Sequence, residues 1–327
     1  MRDRFRGNYF RSILILLLFL LAIFVTYALQ GFSESSLPDD DIGTVDTIDA
    51  DDTTNTDGTT NTDDTTNTDS VMEVHFLDVG QGDCTLIQCD GKAMLIDCGD
   101  SNQGTKIQNY LKKQGVTELE YLILTHPDAD HIGGAPVILT KFAVAHLIMP
   151  DYEKDTTSYE KLMQAINSQG HTVTYPEVNE VYPLGSAEIR IVGPVHSYME
   201  PNNESVSCII KYQKNSFLFT GDAEEEAEND MLLSGAILKA DVYKAGHHGS
   251  STSTSDAFLD AVKPSCAVIS CAEGNDYGHP HAQILNKLRA NGIDVYRTDE
   301  DGTIIATSDG STITWNVPPS DSWKSGE

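Results

Sequence analysis

The sequence predicts a mixed α/β domain in which two sheets pack together with helices outside. Short apolar, β-branched runs bounded by glycine and other turn residues recur through residues 71–327, and segments with helical periodicity lie between them. Both halves of this region are rich in strands, an arrangement typical of two stacked sheets covered by helices. The chain has 327 residues and is 39% hydrophobic, which suits one domain of ordinary size plus an N-terminal appendage.

The pattern predicts the individual elements in chain order. In the first half, we predict strands near residues 72–79, 82–89 and 92–98, a strand ending at His126, and strands near 144–149 and 171–175. The helices of that half are expected near 105–114, 133–140 and 156–168. In the second half, strands are expected near 187–193, 206–213, 216–221, 241–245, 266–271, 293–298, 303–308 and 311–316. The remaining helices are expected near 223–233, 254–261 and 281–290.

Residues 1–32 predict a membrane segment. Four arginines precede an almost unbroken apolar run at 13–29. No convincing cleavage site follows, so we expect an uncleaved single-pass anchor, with a secreted form as the alternative. The arginines place the N-terminus in the cytoplasm and the rest of the chain outside.

Residues 33–70 predict a disordered acidic tether. The segment contains eleven Asp and one Glu, no Lys or Arg, and the repeat TTNTD at 53–57, 59–63 and 65–69. It has too few apolar residues to offset the entropy cost of ordering a chain. We expect it to be extended between the membrane and the domain at 71–327.

The domain itself is acidic. Residues 71–327 contain 17 Lys and Arg against 37 Asp and Glu, a net charge of −20. Proteins that hold nucleic acid by its backbone normally present a basic face, and no basic stripe is evident in the sequence. Any grip on a phosphate substrate is therefore expected to come mainly from bound metal.

The segment at 121–134, YLILTHPDADHIGG, predicts a metal site. An apolar strand leads into His126, Asp128, Asp130 and His131, whose imidazole and carboxylate groups suit zinc, manganese or iron. A calcium loop of the EF-hand type is excluded, because Leu139 stands where its twelfth-position Glu would be required. A solvated polar turn is the alternative.

This segment resembles the metal-binding signature T-H-x-H-x-D-H of the metallo-β-lactamase fold, with Asp128 at the position of the second His. It resembles in particular the C-terminal domain of ComEC-type DNA-uptake competence proteins, and the phosphorylcholine esterases. Further matching segments follow in the same order: LDVGQGD at 77–83, IDCGD at 96–100, NNESVSCII at 202–210, FTGD at 219–222, KAGHHGS at 244–250 and YGHPH at 277–281. The resemblance covers about residues 72–317 and implies an αββα sandwich.

The resemblance also implies the roles of individual residues. It implies two divalent ions, zinc or manganese, held by His126, Asp128, Asp130, His131, Asp222 and His248, with Asp222 bridging them. It implies catalytic roles for Asp130, His247 and His279, and substrate contacts for Asn203, Ser205, Lys244 and His281. Adjacent histidines point to opposite sides of an extended chain, so only one of His247 and His248 is expected to be a ligand. Asp83 is expected close to the ligands.

The function implied is that of an extracytoplasmic metal-dependent hydrolase, with a metal-activated water attacking a phosphodiester. DNA is the first substrate suggested, by analogy with the competence proteins. The alternatives are an esterase acting on phosphorylcholine or teichoic-acid wall polymers, and a non-catalytic metal-stabilised binding domain. The membrane is an expected partner through the N-terminal segment, and no protein partner is inferred.

The six cysteines predict no particular disulfide. If Asp90-Gly91 forms a two-residue turn, Cys84 opposes Asp97 across the hairpin. Cys84 and Cys98 would then point to opposite faces of the sheet, which disfavours a bridge between them.

Overall fold

The computed structural model describes residues 70–326, and within them the predicted α/β architecture of two packed sheets with outer helices is confirmed. The predicted membrane segment and the acidic tether up to residue 69 lie outside the described residues. None of the helices within 70–326 combines the length and the apolar character that crossing a membrane requires.

The strands of residues 70–326 form one eight-stranded and one seven-stranded sheet. In chain order they are β1 Met72–Phe76, β2 Thr85–Cys89, β3 Lys92–Ile96, β4 Glu118–Ile123, β5 Ala143–Ile148, β6 Val173–Thr174, β7 Val181–Leu184, β8 Ala187–Gly193, β9 Ser207–Tyr212, β10 Asn215–Phe219, β11 Val242–Lys244, β12 Cys266–Ile269, β13 Asp294–Arg297, β14 Ile304–Ser308 and β15 Ile313–Trp315. The first sheet has the order β15-β14-β1-β2-β3-β4-β5-β6, and the second has the order β13-β12-β11-β10-β9-β8-β7.

Helices and two short 3₁₀ turns connect the strands. The helices are α1 Gly104–Lys113, α2 Ala129–Ile132, α3 Ala135–Lys141, α4 Thr157–Gln169, α5 Glu225–Leu233, α6 Asp256–Val262, α7 Ala282–Ala290 and α8 Thr298–Asp301. The 3₁₀ turns are Pro201–Glu204 and Gly246–Gly249.

Three apolar layers hold the sandwich together. The middle layer lies between the sheets, where the rings of Phe76 from β1 and Phe219 from β10 stack with centroids 6.0 Å apart. The two outer layers lie between each sheet and its helices. Fully burying one such phenyl side chain stabilises a fold by about 1.5–3 kcal/mol. The sheets are therefore a firm platform for the loops at their ends.

The parallel strands determine where those loops lie. β3 pairs with β4 in the first sheet, and β10 pairs with β11 in the second, each pair in parallel. The carboxyl ends of parallel strands share one edge of a sheet, which is where such folds place their sites. The residues that follow these four strands therefore lie near one another.

Several predicted details are wrong. β4 ends at Ile123, three residues before His126. The helix predicted at 133–140 corresponds to α3, but the single-turn helix α2 before it was not predicted. Gly133 and Gly134 separate the two helices, and a Cβ added to Gly134 would be 2.2 Å from the Cys98 carbonyl oxygen. β7 was not predicted, because its Pro183 argues against a central strand while an edge strand tolerates it.

The argument about cysteine faces is also wrong. Cys84 and Cys98 are both buried in the apolar layer between the first sheet and its helices. The alternation of side chains fails because Asp97 has φ +58°, in the left-handed region, which turns the chain after β3. Within the described residues all six cysteines are free thiols.

Candidate metal centre

The site is built from loops that follow the parallel strands. His126 follows β4, and Asp130 and His131 lie on the single-turn helix α2. Asp222 follows β10, and His248 lies in the 3₁₀ turn after β11. The two sheets thus bring these five predicted ligands, separated by up to 122 positions of sequence, to one edge of the sandwich.

The other four side chains gather around the Asp222 carboxylate. Asp222 Oδ2 lies 3.3 Å from His131 Nε2, 3.5 Å from His248 Nε2 and 3.8 Å from His126 Nε2. Asp130 Oδ2 lies 3.3 Å from His248 Nε2. The Nε2 atoms of His131 and His248 are themselves 3.3 Å apart. A carboxylate oxygen surrounded by three imidazole nitrogens is placed to act as a ligand at either of two neighbouring metal positions.

The donor atoms fit a divalent ion. His126, His131 and Asp222 form one set of ligand atoms that lie within 4.8 Å of one another, and Asp130, His131 and His248 form a second. The buried atoms His126 Nε2 and Asp222 Oδ1 have no hydrogen-bond partner in the described structure. Buried polar atoms are nearly always paired, so these orphaned atoms face a position that a ligand would occupy. Imidazole with carboxylate is the chemistry of zinc and manganese sites.

Asp97 holds His131 in place. His131 Nδ1 donates to Asp97 Oδ2 at 2.8 Å, which leaves Nε2 directed at the cluster. Asp97 also accepts from the backbone N–H of Thr125 at 2.8 Å and from its hydroxyl at 2.7 Å. Burial alone would lower the pKa of His131, but the carboxylates of Asp222, Asp97 and Asp130 outweigh it and hold the pKa well above its usual value.

The acidic residues of the cluster are held ionised. Burial alone would raise the pKa of Asp222, but the charges of His131 and His248 keep it well below its usual value. The same two histidines outweigh burial at Asp130 and lower its pKa to about 2. Ionised carboxylates are the form in which Asp binds a metal.

His248 has two neighbours at its Nδ1 atom. Its Nδ1 lies 2.9 Å from the Ser270 carbonyl oxygen and 3.3 Å from Asp83 Oδ1. Asp83 in turn accepts from the ammonium of Lys244 at 2.9 Å, with both side chains buried. Burial alone would lower the pKa of His248, yet Asp222 and Asp83 raise it well above its usual value. Asp83 therefore lies next to a ligand, as expected.

The expectation that His247 and His248 point apart along an extended chain is wrong. Both have left-handed backbones, with φ +49° and +55°, in the 3₁₀ turn. His247 Nε2 lies 3.7 Å from Asp222 Oδ2, almost as close as that of His248. His247 is the more exposed of the two, and its Nδ1 lies 3.1 Å from the Thr252 hydroxyl. His247 thus borders the cluster from its solvent side.

Within residues 70–326, Asp128 is the one predicted ligand whose carboxylate does not join two other candidate ligand atoms in a set with all distances within 4.8 Å. Its Oδ1 lies 4.0 Å from His126 Nε2, and the same oxygen forms an ion pair with the ammonium of Lys154. Lys154 comes from the loop between β5 and α4, and 27% of its side chain is exposed. The carboxylate of Asp128 is therefore already engaged by a cation.

A cleft of about 100 Å³ opens onto the cluster. It is lined by Gln81, Asp128, Asp130, Asn202, Asp222, His247, His248, Tyr277 and His279. Its small size and polar lining suit a compact anionic group better than an apolar ligand.

His279, predicted as catalytic, lies in this cleft. Ala272 N–H donates to Gln81 Oε1 at 3.3 Å, which directs the amide nitrogen of Gln81 toward His279 Nδ1 at 3.4 Å. Asn275 fixes the His279 backbone through bonds to its N–H and carbonyl oxygen. Burial and the neighbouring charges of His248 and His247 lower the pKa of His279 to about 4. The ring is therefore neutral at pH 7.

Two predicted substrate-binding residues are used inside the protein instead. Asn203 is buried, accepts from Glu224 N–H at 2.9 Å and donates to Glu226 Oε2 at 3.1 Å, so it braces the start of α5. Ser205 is buried and its hydroxyl oxygen accepts from Asp222 N–H at 3.0 Å. The residue of this segment that lines the cleft is the adjacent Asn202.

The other two predicted substrate-binding residues, Lys244 and His281, also form contacts within the protein. Lys244 is 2% exposed and its ammonium is bound by Asp83 and the Ala245 carbonyl. His281 accepts from Ser251 N–H at 2.9 Å, and its Nε2 lies 3.1 Å from the Tyr277 carbonyl oxygen. Both ring nitrogens of His281 therefore support loops, and neither is left for a substrate.

Sequence reasoning missed five residues of the site. Gln81 and Asp97 lie within matching segments, so those segments carried a signal that was not used. Asn202 was passed over for its neighbour. Tyr277 also lies within a matching segment, YGHPH at 277–281, whereas Lys154 has no local signal, because only a tertiary contact brings it to Asp128.

A basic groove lies on the second sheet, outside the cleft. It has a volume of about 530 Å³, and its cationic lining residues are Arg190, Lys211, Lys214 and Lys239. Glu188 also lines it and pairs with Arg190 at 2.7 Å, which leaves three lysines in excess. None of its lining residues lines the cleft. The sequence shows no basic stripe, but the fold gathers these cations, which are scattered along the chain, on one surface.

Comparison with known proteins shows the family. Residues 77–273, more than half of the chain, match the sequence pattern of the Metallo-beta-lactamase superfamily. ComE operon protein 3 of Bacillus subtilis is 32% identical over 71% of this chain and 32% of its own length. Recombination protein 2 of Haemophilus influenzae is 36% identical over 66% of this chain and 26% of its own length. Competence protein ComA of Neisseria gonorrhoeae is 29% identical over 69% of this chain and 31% of its own length.

These relatives confirm the resemblance to competence proteins, although the chain spans only about a third of their length or less. The matched region begins just after β1 and includes β2 to β12, with the α2 ligands, Asp222 and the His247–His248 turn. Divalent metal binding is implied by this family, and the cluster of histidines and aspartates supplies suitable ligands. The two-sheet fold, the ligand cluster and the sequence match together place the chain in the metallo-β-lactamase superfamily of hydrolases.

Proposed function

We propose that this protein is a metal-dependent phosphodiesterase whose active site is the cleft over Asp222. The observation that carries the proposal is a small polar cleft lined by Asp222, whose Oδ1, like the nearby His126 Nε2, is buried without a hydrogen-bond partner. Buried polar atoms cost stability when unpaired, so these two atoms support a bound metal ion, and the cleft gives a substrate access to it.

Asp130, His131, Asp222 and His248 would hold a divalent ion, and His126 lies beside them. Such an ion supplies a Lewis acid that lowers the pKa of water and neutralises charge on a phosphoryl oxygen. Asp97 accepts from Nδ1 of His131, and the Ser270 carbonyl oxygen accepts from Nδ1 of His248, with the Asp83 carboxylate 3.3 Å from the same nitrogen. The protein thus fixes both the ligands and the groups behind them.

His279 would stabilise negative charge on the substrate. Its Nδ1 faces the amide nitrogen of Gln81, so the proton of the neutral ring is on Nε2, the nitrogen not used by Gln81. A neutral donor keeps its proton while it hydrogen-bonds a developing oxyanion. The pKa of about 4 ensures that this form persists across the physiological range.

His247 would transfer a proton at the mouth of the cleft. Its Nδ1 is positioned by the Thr252 hydroxyl at 3.1 Å and by Glu224 Oε1 at 3.5 Å, while Nε2 points toward Asp222. A histidine held at one nitrogen and directed into the site by the other has the arrangement of a general acid or base. We assign the protonation of the leaving oxygen to this residue.

DNA is the substrate we propose first. Its support is the relation to proteins named for competence and recombination, which is an analogy between families. The basic groove offers a separate contact for a polyanion on a domain whose net charge would otherwise repel it. The second candidate is a small wall ester such as a choline phosphate, favoured by the small cleft and the acidic domain.

The reaction would take place outside the cytoplasm, with the protein held by its N-terminal apolar segment. Four arginines before residues 13–29 support this orientation. Protease added to intact cells should release the domain by cutting the acidic segment. Digestion only after lysis would reject this location.

The substrate is tested by direct comparison. The purified full-length protein is supplied with manganese or with zinc and incubated with single-stranded DNA, double-stranded DNA and a choline-phosphate ester. We expect cleavage of DNA that stops when the metal is chelated. Turnover of the small ester with both DNA forms intact would establish the wall esterase instead, and no turnover of any phosphodiester would reject the proposed reaction.

A further inference from the structure

Lys154 brings a permanent positive charge into the site. Its ammonium pairs with Asp128, the residue that stands where the metal signature has its second histidine. We infer that the Lys154 ammonium takes the place of one of two metal ions, so that the centre binds a single divalent ion. This inference rests on the proposed metal centre and specifies its composition.

One metal position has a full set of ligands. Asp130, His131 and His248 offer atoms within 4.8 Å of one another, and Asp222 Oδ2 lies 3.3–3.5 Å from the two histidines. Two carboxylates and two imidazoles satisfy the four-ligand preference of zinc, and waters could complete a larger shell. All four side chains are also oriented by buried neighbours or by one another.

The other position is short of ligands. His126 Nε2 and Asp222 are available there. His131 belongs to both sets of ligand atoms, but it can serve only one ion because Asp97 holds its Nδ1 and leaves Nε2 alone. The residues that replace a further histidine do not complete the set. Ser205 uses its hydroxyl oxygen to accept from Asp222 N–H, and Asn202 directs its amide nitrogen at Glu224 Oε1, 3.1 Å away. Within residues 70–326, the remaining carboxylate paired with His126 Nε2 is that of Asp128, whose Oδ1 lies 4.0 Å away.

Lys154 removes that ligand. An ammonium has three donors and no lone pair, so it satisfies the Asp128 carboxylate and repels a second cation. The lysine is held by an ordered loop, since Thr156 N–H donates to the Lys154 carbonyl at 3.0 Å and the Thr156 side chain caps α4. About three quarters of the Lys154 side chain is buried, which reduces the screening of its charge by solvent.

The consequence is a site with one Lewis acid and one fixed cation. The ammonium can neutralise a phosphate oxygen beside Asp128, but it cannot acidify water. The chemistry of water activation would therefore depend on the ligands around His131 and His248 alone.

Metal stoichiometry tests the inference without relying on activity. Full-length protein purified in detergent is stripped with a chelator, equilibrated with manganese or zinc at defined free concentrations, and analysed for bound metal by mass spectrometry and calorimetry. We expect one equivalent in the parent and two in Lys154→Met. Lys154→Arg, which keeps the charge, should remain at one, as should the control Lys161→Met, whose exposed lysine makes no ion pair with any residue of 70–326.

A double variant strengthens the test. Asp128→Asn in the Lys154→Met background should lose the second equivalent again, because the released carboxylate is the ligand that Lys154 had blocked. Two equivalents of similar affinity in the parent, or a single equivalent in a folded Lys154→Met protein, would overturn the inference. One ion in the parent and two in Lys154→Met, with no phosphodiester cleaved by either, would support the inference while rejecting the proposed reaction.

Discussion

Replacing Asp97 by Asn should weaken metal binding without removing any ligand. The Asp97 carboxylate accepts three hydrogen bonds, from the backbone and hydroxyl of Thr125 and from His131 Nδ1. Asn is nearly the same size and tolerates the left-handed backbone at this position, where φ is +58°. The backbone conformation should therefore be retained. The substitution replaces one carboxylate oxygen, a hydrogen-bond acceptor, by an amide NH₂ group, a donor.

The effect follows from the tautomer of His131. If the Asn amide nitrogen replaces Oδ2, it donates toward Nδ1, and the imidazole proton must move to Nε2, the atom that faces the cluster. In the opposite orientation, the Asn amide NH₂ faces the Thr125 N–H, so two donors meet and neither has an acceptor. A buried donor left unpaired in this way costs about 1–3 kcal/mol of stability. Losing a partner of this kind typically costs 10- to 100-fold in metal affinity, or about 1.4–2.8 kcal/mol.

The assay is a competition titration of the stripped protein against a chelating indicator at neutral pH. The matched control is Asp100→Asn, which removes the same charge from the same loop, where Asp100 contacts Ser101 and no ligand histidine. An Asp97→Asn protein that binds metal as tightly as Asp100→Asn would refute the role assigned to Asp97.

Three further changes test the surroundings of the site. Lys244→Met leaves the buried Asp83 carboxylate unpaired, so the free energy of unfolding in urea should fall by about 3–5 kcal/mol. Gly134→Ala places a Cβ 2.2 Å from the Cys98 carbonyl oxygen, and the resulting shift should lower stability by about 1–3 kcal/mol. Lys211→Glu reverses one charge of the basic groove, and metal-free binding of a single-stranded oligonucleotide, measured by fluorescence anisotropy, should weaken and lose part of its salt dependence.

Each of these changes has a counterpart that should do little. Lys239→Met alters an exposed lysine and should change stability by no more than about 0.5 kcal/mol. An added Cβ at Gly235 meets no atom within 4 Å, so Gly235→Ala carries only the strain of its φ of +77°. Equal losses in Lys244→Met and Lys239→Met, or in Gly134→Ala and Gly235→Ala, would contradict the packing described. Unchanged oligonucleotide binding in Lys211→Glu would exclude the groove as a polyanion contact.

The sequence predicted the site best where candidate metal ligands come soon after the end of a strand. His126, Asp130, His131 and Asp222 stand after apolar runs or before glycines, and parallel pairing then brings those ends to one edge. The order of matching segments added His248 and the αββα arrangement, neither of which periodicity alone supplies. The cluster of ligands was predictable for these reasons.

Contacts between distant residues were not predictable. Lys244 pairs with Asp83 across 161 positions, and Lys154 pairs with Asp128 across 26, with no periodic signal in either case. The left-handed backbones of His247 and His248 override the extended geometry that a strand end suggests. The pairing of Lys244, a predicted substrate contact, with Asp83 was not predictable for the same reason.

The most direct test of the account is to measure metal content and phosphodiester hydrolysis together in the parent protein and in Asp222→Ala. Asp222 Oδ2 lies 3.3–3.8 Å from three ligand histidines, so its removal leaves their charges without a shared counterion. We predict loss of at least one equivalent of metal and a fall in hydrolysis of several orders of magnitude, with His196→Ala, an exposed histidine paired with Asp230, unaffected in both. Equal metal content in Asp222→Ala and the parent, or hydrolysis that survives the substitution, would contradict the account.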